Sequence, residues 1–268
     1  MSQVTVIEVP QWQGSASPTA HRLRDGATLL AGMIPHAVRH LRVDVADGHT
    51  PADLATTAGR TRAALAQAPN GLVVTVGGDC GIDLAPVSAA LERYGDSLAL
   101  VWFDAHGDLN TPGSSPSGAF HGMVLRALTG EGHDTLLPEH PIRPQRIVLA
   151  GARDLDPGER DFVASSGLTH LSVADLSDPA TLVQAVEATG AGAVYVHIDL
   201  DVLDPAVFAS VGTPAPDGLL PDDLVKLVRS LTEHFELAGL CITEYEPTRP
   251  EDRLLLTPLI AALVTPNP

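Results

Sequence analysis

Apolar residues follow two spacings that alternate along the chain. Short runs rich in Val, Ile and Leu occur at Val4–Val9, Leu41–Val45, Leu72–Val76, Leu98–Phe103, Arg146–Leu149, Leu168–Leu171, Ala193–Ile198 and Leu240–Thr243. Several are almost continuously apolar, as strands covered on both faces require. Between them, longer stretches with helical spacing run over Pro51–Gln67, Ile82–Tyr94, Ala119–Leu128, Pro157–Ser165, Pro179–Thr189, Pro221–Phe235 and Arg253–Val264. Thr50-Pro51, Asp178-Pro179 and Leu220-Pro221 each put a proline near a helix start, where its missing N–H does no harm. Such alternation predicts an α/β fold, a mostly parallel sheet with helices on both faces. The Gly/Pro/Ser-rich stretch 111–118 reads as a loop inside the domain, because motif residues flank it closely. With no internal repeat, charge block or long linker, residues 1–268 are expected to form a single catalytic domain.

Composition narrows the classes. The chain has 268 residues, 44% of them hydrophobic, enough to fill a large core. Its 16 Lys and Arg against 33 Asp and Glu give a formal charge of −17. An acidic surface repels nucleic acid and anionic membranes, so neither is expected as a partner. No run approaches the roughly 18 apolar residues of a membrane span, and the opening MSQVTVIEVPQWQ lacks the basic and apolar regions of a signal peptide. Two cysteines, Cys80 and Cys241, make no disulfide framework, which points to a reducing cytoplasm.

The strand ends carry the chemistry. Leu72–Val76 runs into Gly77-Gly78-Asp79-Cys80, and Leu98–Phe103 into Asp104-Ala105-His106-Gly107-Asp108. Ala193–Ile198 runs into Asp199-Leu200-Asp201, and Leu240–Thr243 into Glu244. Ligands of open parallel sheets collect at such carboxyl ends. At an extended period of two, Asp104, His106 and Asp108 point the same way, and Asp199 and Asp201 repeat the device. Carboxylates with one imidazole suit hard divalent ions, Mn²⁺ foremost. Four crowded aspartates repel one another without cations, so two ions are expected, and two metals make a shared water nucleophilic near neutral pH. A lone Asp at a strand end is ordinarily a cap, but capping does not account for the same spacing twice. Cys80 joins this set less securely, since a buried cysteine is ordinarily a small core residue, as Cys241 is read to be.

These motifs, in this order, resemble the arginase (ureohydrolase) family: Gly-Gly-Asp-Cys at 77–80, Asp-Ala-His-Gly-Asp at 104–108, Asp-Leu-Asp-Val-Leu-Asp-Pro at 199–205 and Glu-Tyr-Glu-Pro at 244–247. The resemblance implies a three-layer α/β/α sandwich with a parallel sheet of about eight strands. It also implies two Mn²⁺ held by Cys80, Asp104, His106, Asp108, Asp199 and Asp201, and a homo-oligomer, trimer or hexamer. Asp108-Leu109-Asn110-Thr111-Pro112 with Ser117-Gly118-Ala119-Phe120-His121-Gly122 is similar to the arginase loop that grips an α-carboxylate. Gly151 to Glu159 looks like the segment that receives the α-amino group. By that similarity Asn110 and Ser117 hold the carboxylate, and Asp156, with Glu159 behind it, the ammonium. His121 matches the proton-shuttle histidine, and Glu244 the carboxylate that pairs with the guanidinium. The expected partner is therefore a small guanidino amino acid. The expected reaction is hydrolysis to ornithine and urea, with Asp108, His121 and Glu244 at the reacting end.

Two departures qualify this. Most relatives carry His where this chain has Cys80. A thiolate there adds a negative charge, raises the pKa of metal-bound water and lowers the metals' Lewis acidity. Ala119 stands where arginases usually place Asn, removing a hydrogen bond worth about 0.5–1.5 kcal/mol. The cysteine resembles the Nω-hydroxy-L-arginine hydrolase of D-cycloserine biosynthesis, so hydroxyarginine, giving ornithine and hydroxyurea, is the close alternative. An agmatinase-like hydrolase would leave Asn110, Ser117 and Asp156 without purpose. A zinc deacetylase lacks the expected His pair near Asp199. A non-catalytic metal-binding subunit would not need His121 and Glu244. His197 reads as a packing or supporting residue.

Overall fold

Along Leu98–Phe103 the side chains divide between two cores. Leu98, Leu100 and Trp102 join one apolar cluster, and Ala99, Val101 and Phe103 the other. A strand with both faces covered in this way must lie inside a sheet flanked by helices on each side. The structure, a computed structural model describing residues 4–69 and 71–264, shows that sheet. Its strands are β1 (Val4–Val9), β2 (Ala37–Arg42), β3 (Leu72–Gly77), β4 (Leu98–Phe103), β5 (Ile147–Ala150), β6 (Thr169–Leu171), β7 (Ala193–Asp199) and β8 (Glu236–Thr243). They pair in the order β2-β1-β3-β8-β7-β4-β5-β6, every pair parallel.

Helices α1 (Leu23–Met33), α6 (Pro179–Ala188), α7 (Pro221–His234) and α8 (Asp252–Val264) supply one cluster. Helices α2 (Pro51–Leu65), α3 (Leu84–Tyr94), α4 (Val124–Leu128) and α5 (Pro157–Ser166) supply the other. The result is the expected three-layer α/β/α sandwich of eight parallel strands. Each fully buried Val, Leu, Ile or Phe in it contributes about 1.5–3 kcal/mol. Thr50 and Asp53 form a reciprocal capping box on α2, and Asp178 accepts the Ala180 N–H on α6, so the Thr-Pro and Asp-Pro signals mark true starts.

The helix expected over Ala119–Leu128 is a 3-10 turn at Phe120–Met123 followed by the short α4, and two further elements differ from the sequence expectation. The second strand lies at Ala37–Arg42, earlier than the apolar run Leu41–Val45. It is an edge strand, exposed along most of its length, and its register on β1 ends at Glu8↔Arg42. Apolar content therefore did not mark it. Helix α1 was not expected, because Gly26 and Gly32 interrupt its sequence with poor helix formers. Packing explains Gly26: a Cβ there would lie 1.9 Å from the Tyr245 carbonyl oxygen. Its neighbours Leu23, Ala27 and Leu30 are fully buried, and tertiary contact overrides propensity.

Candidate metal centre

Strands β3, β8, β7 and β4 are consecutive in the sheet, and each delivers a polar side chain to one cluster beyond its carboxyl end. β3 leads into a 3-10 turn at Cys80–Asp83. Gly78 passes so close to Gln11 that a Cβ would fall 1.5 Å from its carbonyl oxygen, a position only glycine tolerates. Asp79 caps the turn through the Gly81 N–H at 3.0 Å and also accepts Gln11 Nε2 and Gly14 N–H. Burial, then the charge of Glu244, pushes Asp79 up to about 6. These bonds tie residues 11–14 to the turn and bury Cys80, 1% exposed.

Past β4 the backbone turns at once. Asp104 Oδ1 accepts the His106 N–H at 2.6 Å, Oδ2 accepts Trp102 Nε1–H at 3.0 Å, and Asp108 sits at φ 52°. The same holds at β7, where Asp199 Oδ1 accepts the Asp201 N–H at 2.7 Å and Asp201 lies in a 3-10 turn over Leu200–Val202. Turns, not the strand alternation read from the spacing, bring these side chains together. Capping and convergence are one geometry here rather than rivals. Asp201 Oδ1 also accepts the Ala105 N–H at 3.0 Å, which laces the two turns to each other.

The donor atoms meet. His106 Nδ1 is 2.9 Å from Asp201 Oδ2 and 3.4 Å from Asp104 Oδ1. Cys80 Sγ is 3.1 Å from Asp199 Oδ2. The ligand atoms of Asp104, His106 and Asp201 all lie within 4.8 Å of one another, as do those of Cys80, Asp199 and Glu244. Asp108 Oδ2 is buried without a hydrogen-bond partner among the described residues. An orphaned buried polar atom costs about 1–3 kcal/mol, more when charged, and a cation relieves it. Burial, then repulsion from neighbouring carboxylates, pushes Asp104, Asp108 and Asp199 above the usual range. Burial and the same charges push the Cys80 thiol up. Asp201 goes the other way, because the His106 charge and hydrogen bonds outweigh its burial. His106 is raised in turn, Asp201 and Asp104 overcoming its own burial. Carboxylates crowded into one buried cluster, one of them orphaned, fit the binding of hard divalent cations.

Beside this cluster, Glu244 follows β8 at φ 62° and donates its N–H to Gly78 O at 2.9 Å. Its Oε1 accepts the Cys80 N–H at 3.0 Å and lies 3.2 Å from His121 Nδ1. The Ala16 N–H points at His121 Nε2 at 3.4 Å, which assigns the proton of the neutral ring to Nδ1. Burial pulls His121 down, but the hydrogen bond and charge of Glu244 prevail and raise it. Asp108 and Glu244 thus share left-handed backbone, a conformation costing a non-glycine residue about 1–3 kcal/mol and concentrated at functional sites.

A cleft of about 200 Å³ opens above, with His106, Asp108, His121, Asp199 and Asp201 in its wall. Asn110, Ser117 and Asp156 line it too. Asn110 Nδ2 donates to Asp156 Oδ2 at 2.8 Å, and its Oδ1 accepts Ser114 Oγ–H at 2.9 Å. Ser117 is exposed, and its Oγ accepts the Ala119 N–H at 3.2 Å. Asp156 and Glu159 form a capping box on α5. Both Glu159 oxygens are occupied by backbone, Leu109 N–H at 3.0 Å and Asp156 N–H at 2.9 Å, so Glu159 braces Asp156 from below. Sequence reasoning did not single out Thr213, whose Oγ1 donates to Asp201 Oδ2 at 3.2 Å. Nor did it single out Asp83, which accepts from the Tyr195 hydroxyl at 2.6 Å and lies 2.8 Å from His197 Nδ1. Thr213 lies in a long irregular connection without a motif, whereas Asp83 follows Cys80 by three residues, a spacing that a turn brings to one side.

A model of the arginase family matches residues 20–265. The chain belongs to the arginase family. The arginase of Staphylococcus aureus (strain MRSA252) is 40% identical over 159 residues, 56% of this chain and 52% of that protein. The chain thus spans about half the length of the curated relatives it matches. The native structure of Bacillus caldovelox arginase superposes with a TM-score of 0.86 at 25% identity, covering 98% of each chain. The arginase from Bacillus subtilis gives 0.83 at 25% identity, covering 99% of each.

Proposed function

We propose that this arginase-family chain is a metal-dependent amidinohydrolase that cleaves the guanidino group of an L-arginine-type α-amino acid, yielding ornithine and urea. One observation carries the reading. His121, Asp108, His106, Asp199 and Asp201 line the same cleft as Asn110, Ser117 and Asp156, and Glu244 stands directly behind His121, its Oε1 3.2 Å from Nδ1. A guanidinium needs a carboxylate beside it, its departing amine needs a proton, and an amino-acid head needs one acceptor and one donor site.

Two Mn²⁺ are the preferred cofactors, held by Asp104, His106, Asp108, Asp199, Asp201 and Cys80. Bound there, they supply a water made nucleophilic near neutral pH. The protein's own groups do the rest. Glu244 orients and neutralises the guanidinium. His121, its Nδ1 on Glu244, delivers a proton to the leaving nitrogen as the C–N bond breaks. Asn110 and Ser117 hold the α-carboxylate, and Asp156, braced by Glu159, the ammonium. Two unpaired cysteines support a cytoplasmic setting, and a trimer or hexamer is the assembly we expect.

Cys80 favours a second reading. Its sulfur lies 3.1 Å from Asp199 Oδ2, inside the centre. A thiolate there leaves the metals less Lewis-acidic, and hydroxylation makes a guanidine less basic, so Nω-hydroxy-L-arginine is the matching substrate. The deciding assay compares kcat/KM for L-arginine, Nω-hydroxy-L-arginine and agmatine on Mn-loaded protein, with Cys80→His alongside. Preference for arginine supports the first reading. Preference for the hydroxylated amino acid, shifted toward arginine by Cys80→His, supports the second. Preference for agmatine refutes the role of the Asn110–Ser117–Asp156 rim, and metal binding without any turnover refutes both readings in favour of a binding subunit.

A further inference from the structure

We propose that His197 is a metal ligand of this centre, entering it through Nε2 beside Cys80; the inference rests on the metal reading above. His197 precedes Asp199 by two residues on β7 and is wholly buried. Its Nδ1 is 2.8 Å from Asp83 Oδ2, while Asp83 Oδ1 accepts the Tyr195 hydroxyl at 2.6 Å. A carboxylate acts only as acceptor, so it fixes the proton on Nδ1 and leaves a lone pair on Nε2. The ring lies flat on Trp102, centroids 3.4 Å apart and planes 3° from parallel. Trp102 is itself anchored by its bond to Asp104 Oδ2 at 3.0 Å. The imidazole is therefore held in tautomer and in direction.

Nε2 points at the centre. Its neighbours are Cys80 Sγ and Thr243 Oγ1, each at 3.4 Å, an ordinary contact for sulfur and a long one for oxygen. The ligand atoms of Cys80, Asp104 and His197 all lie within 4.8 Å of one another. Two ligands on one ion, a thiolate at about 2.3 Å and an imidazole at about 2.0–2.1 Å as in zinc sites, stand about 3.1 Å apart at a right angle and about 3.6 Å apart at the tetrahedral angle. The observed sulfur–nitrogen separation falls between them. A ligating histidine whose other nitrogen donates to a carboxylate is the ordinary construction of a metal site. The opposite side of the same histidine does not qualify. Asp83, His197 and Cys241 also come within 4.8 Å of one another, but the Asp83 oxygens already hold Tyr195 and His197. On this assignment the centre carries two imidazoles, His106 and His197, together with the Cys80 sulfur, and Asp83 is a positioning residue.

The test uses the full chain loaded with Co²⁺, read by proton NMR in water and by metal titration. A ligating His197 gives a hyperfine-shifted Nδ1–H resonance that exchanges slowly, because Asp83 and burial shield it. That resonance is absent from His197→Gln. His197→Gln and Asp83→Asn are each expected to weaken one of the bound ions by about 10–100-fold while the other ion keeps its affinity. Wild-type protein that binds Co²⁺ without such a resonance overturns the assignment even if the His197→Gln variant fails to fold. A folded His197→Gln with unchanged stoichiometry and affinity overturns it as well, and leaves the proposed function standing. Wild-type protein that binds neither Co²⁺ nor Mn²⁺ removes the proposed function together with this inference.

Discussion

His121 Nδ1 lies 3.2 Å from Glu244 Oε1, and the two residues come from sites 123 positions apart in sequence. Burial opposes charge on the imidazole, and Glu244 restores it, leaving His121 raised above its ordinary value. A group raised on folding contributes stability in full below its unfolded pKa, about 6.5 for His, and loses it as pH rises through the folded value. In the metal-free protein, the His121 ring should titrate above that of a free histidine by NMR. In Glu244→Gln burial is opposed only by the weaker pull of Asp79, and the midpoint should fall below that of the wild type. A wild-type midpoint at or below the ordinary value would show that Glu244 does not govern this ring.

Removing the imidazole separates chemistry from metal binding. His121→Ala should lower kcat by about 10²–10⁴-fold, the usual range for a lost general acid or base. No metal ligand named above contacts His121 through its side chain, so metal content per chain, measured by elemental analysis, should stay at the wild-type level. Turnover that survives the substitution would end the proton-transfer role.

Metal loading should stabilise the fold and release protons. Burial and mutual repulsion raise Asp104, Asp108, Asp199 and Cys80 when no cation balances them, and metal ligands bind in their deprotonated forms. Affinity for Mn²⁺ should therefore rise with pH. Calorimetry in buffers of different ionisation enthalpy should detect the released protons. At a free metal concentration 100 times Kd, one site adds about 2.7 kcal/mol to stability, visible as a higher Tm that chelator abolishes. A pH-independent affinity would contradict the raised carboxylates.

Arg153 offers a structural test away from the reacting atoms. Its guanidinium donates to Ala215 O and Pro216 O at 2.8 Å, Asp201 O at 2.9 Å and Gly151 O at 3.1 Å. It thereby holds the connection that carries Thr213 against Asp201. Arg153→Met strips these carbonyls of their donor. With about 1–3 kcal/mol lost for each group left buried and unpaired, unfolding stability should drop by at least about 2 kcal/mol in a denaturant titration. A change below about 0.5 kcal/mol would mean that water replaces the guanidinium without loss.

The strands that carry the site were legible because they are largely buried on both faces and so are mostly apolar, as in Leu98–Phe103. The edge strand Ala37–Arg42 was not, since half-solvated backbone imposes no such pattern. Glycine hid α1, because Gly26 serves the Tyr245 carbonyl rather than the helix. Within the site, chemistry written into short motifs was visible: Asp104, His106 and Asp108, Asp199 and Asp201, and Glu244. Glu159 behind Asp156 was visible too, but Asp83 as the partner of His197 was not, because it depends on a contact 114 positions away, nor was Thr213 beside Asp201, which sits in an irregular connection without a motif.

The sequence by itself determined the alternation of strand and helix, the order of the motifs and the ligand types available, since these depend on side-chain polarity and local spacing. Only the tertiary structure decided that β3, β8, β7 and β4 stand side by side. It also decided that turns rather than strand pleat aim the aspartates, and that His197 faces Cys80. Those outcomes depend on which segments pack together, and packing is settled by the burial of the whole chain at once, not by any stretch of it.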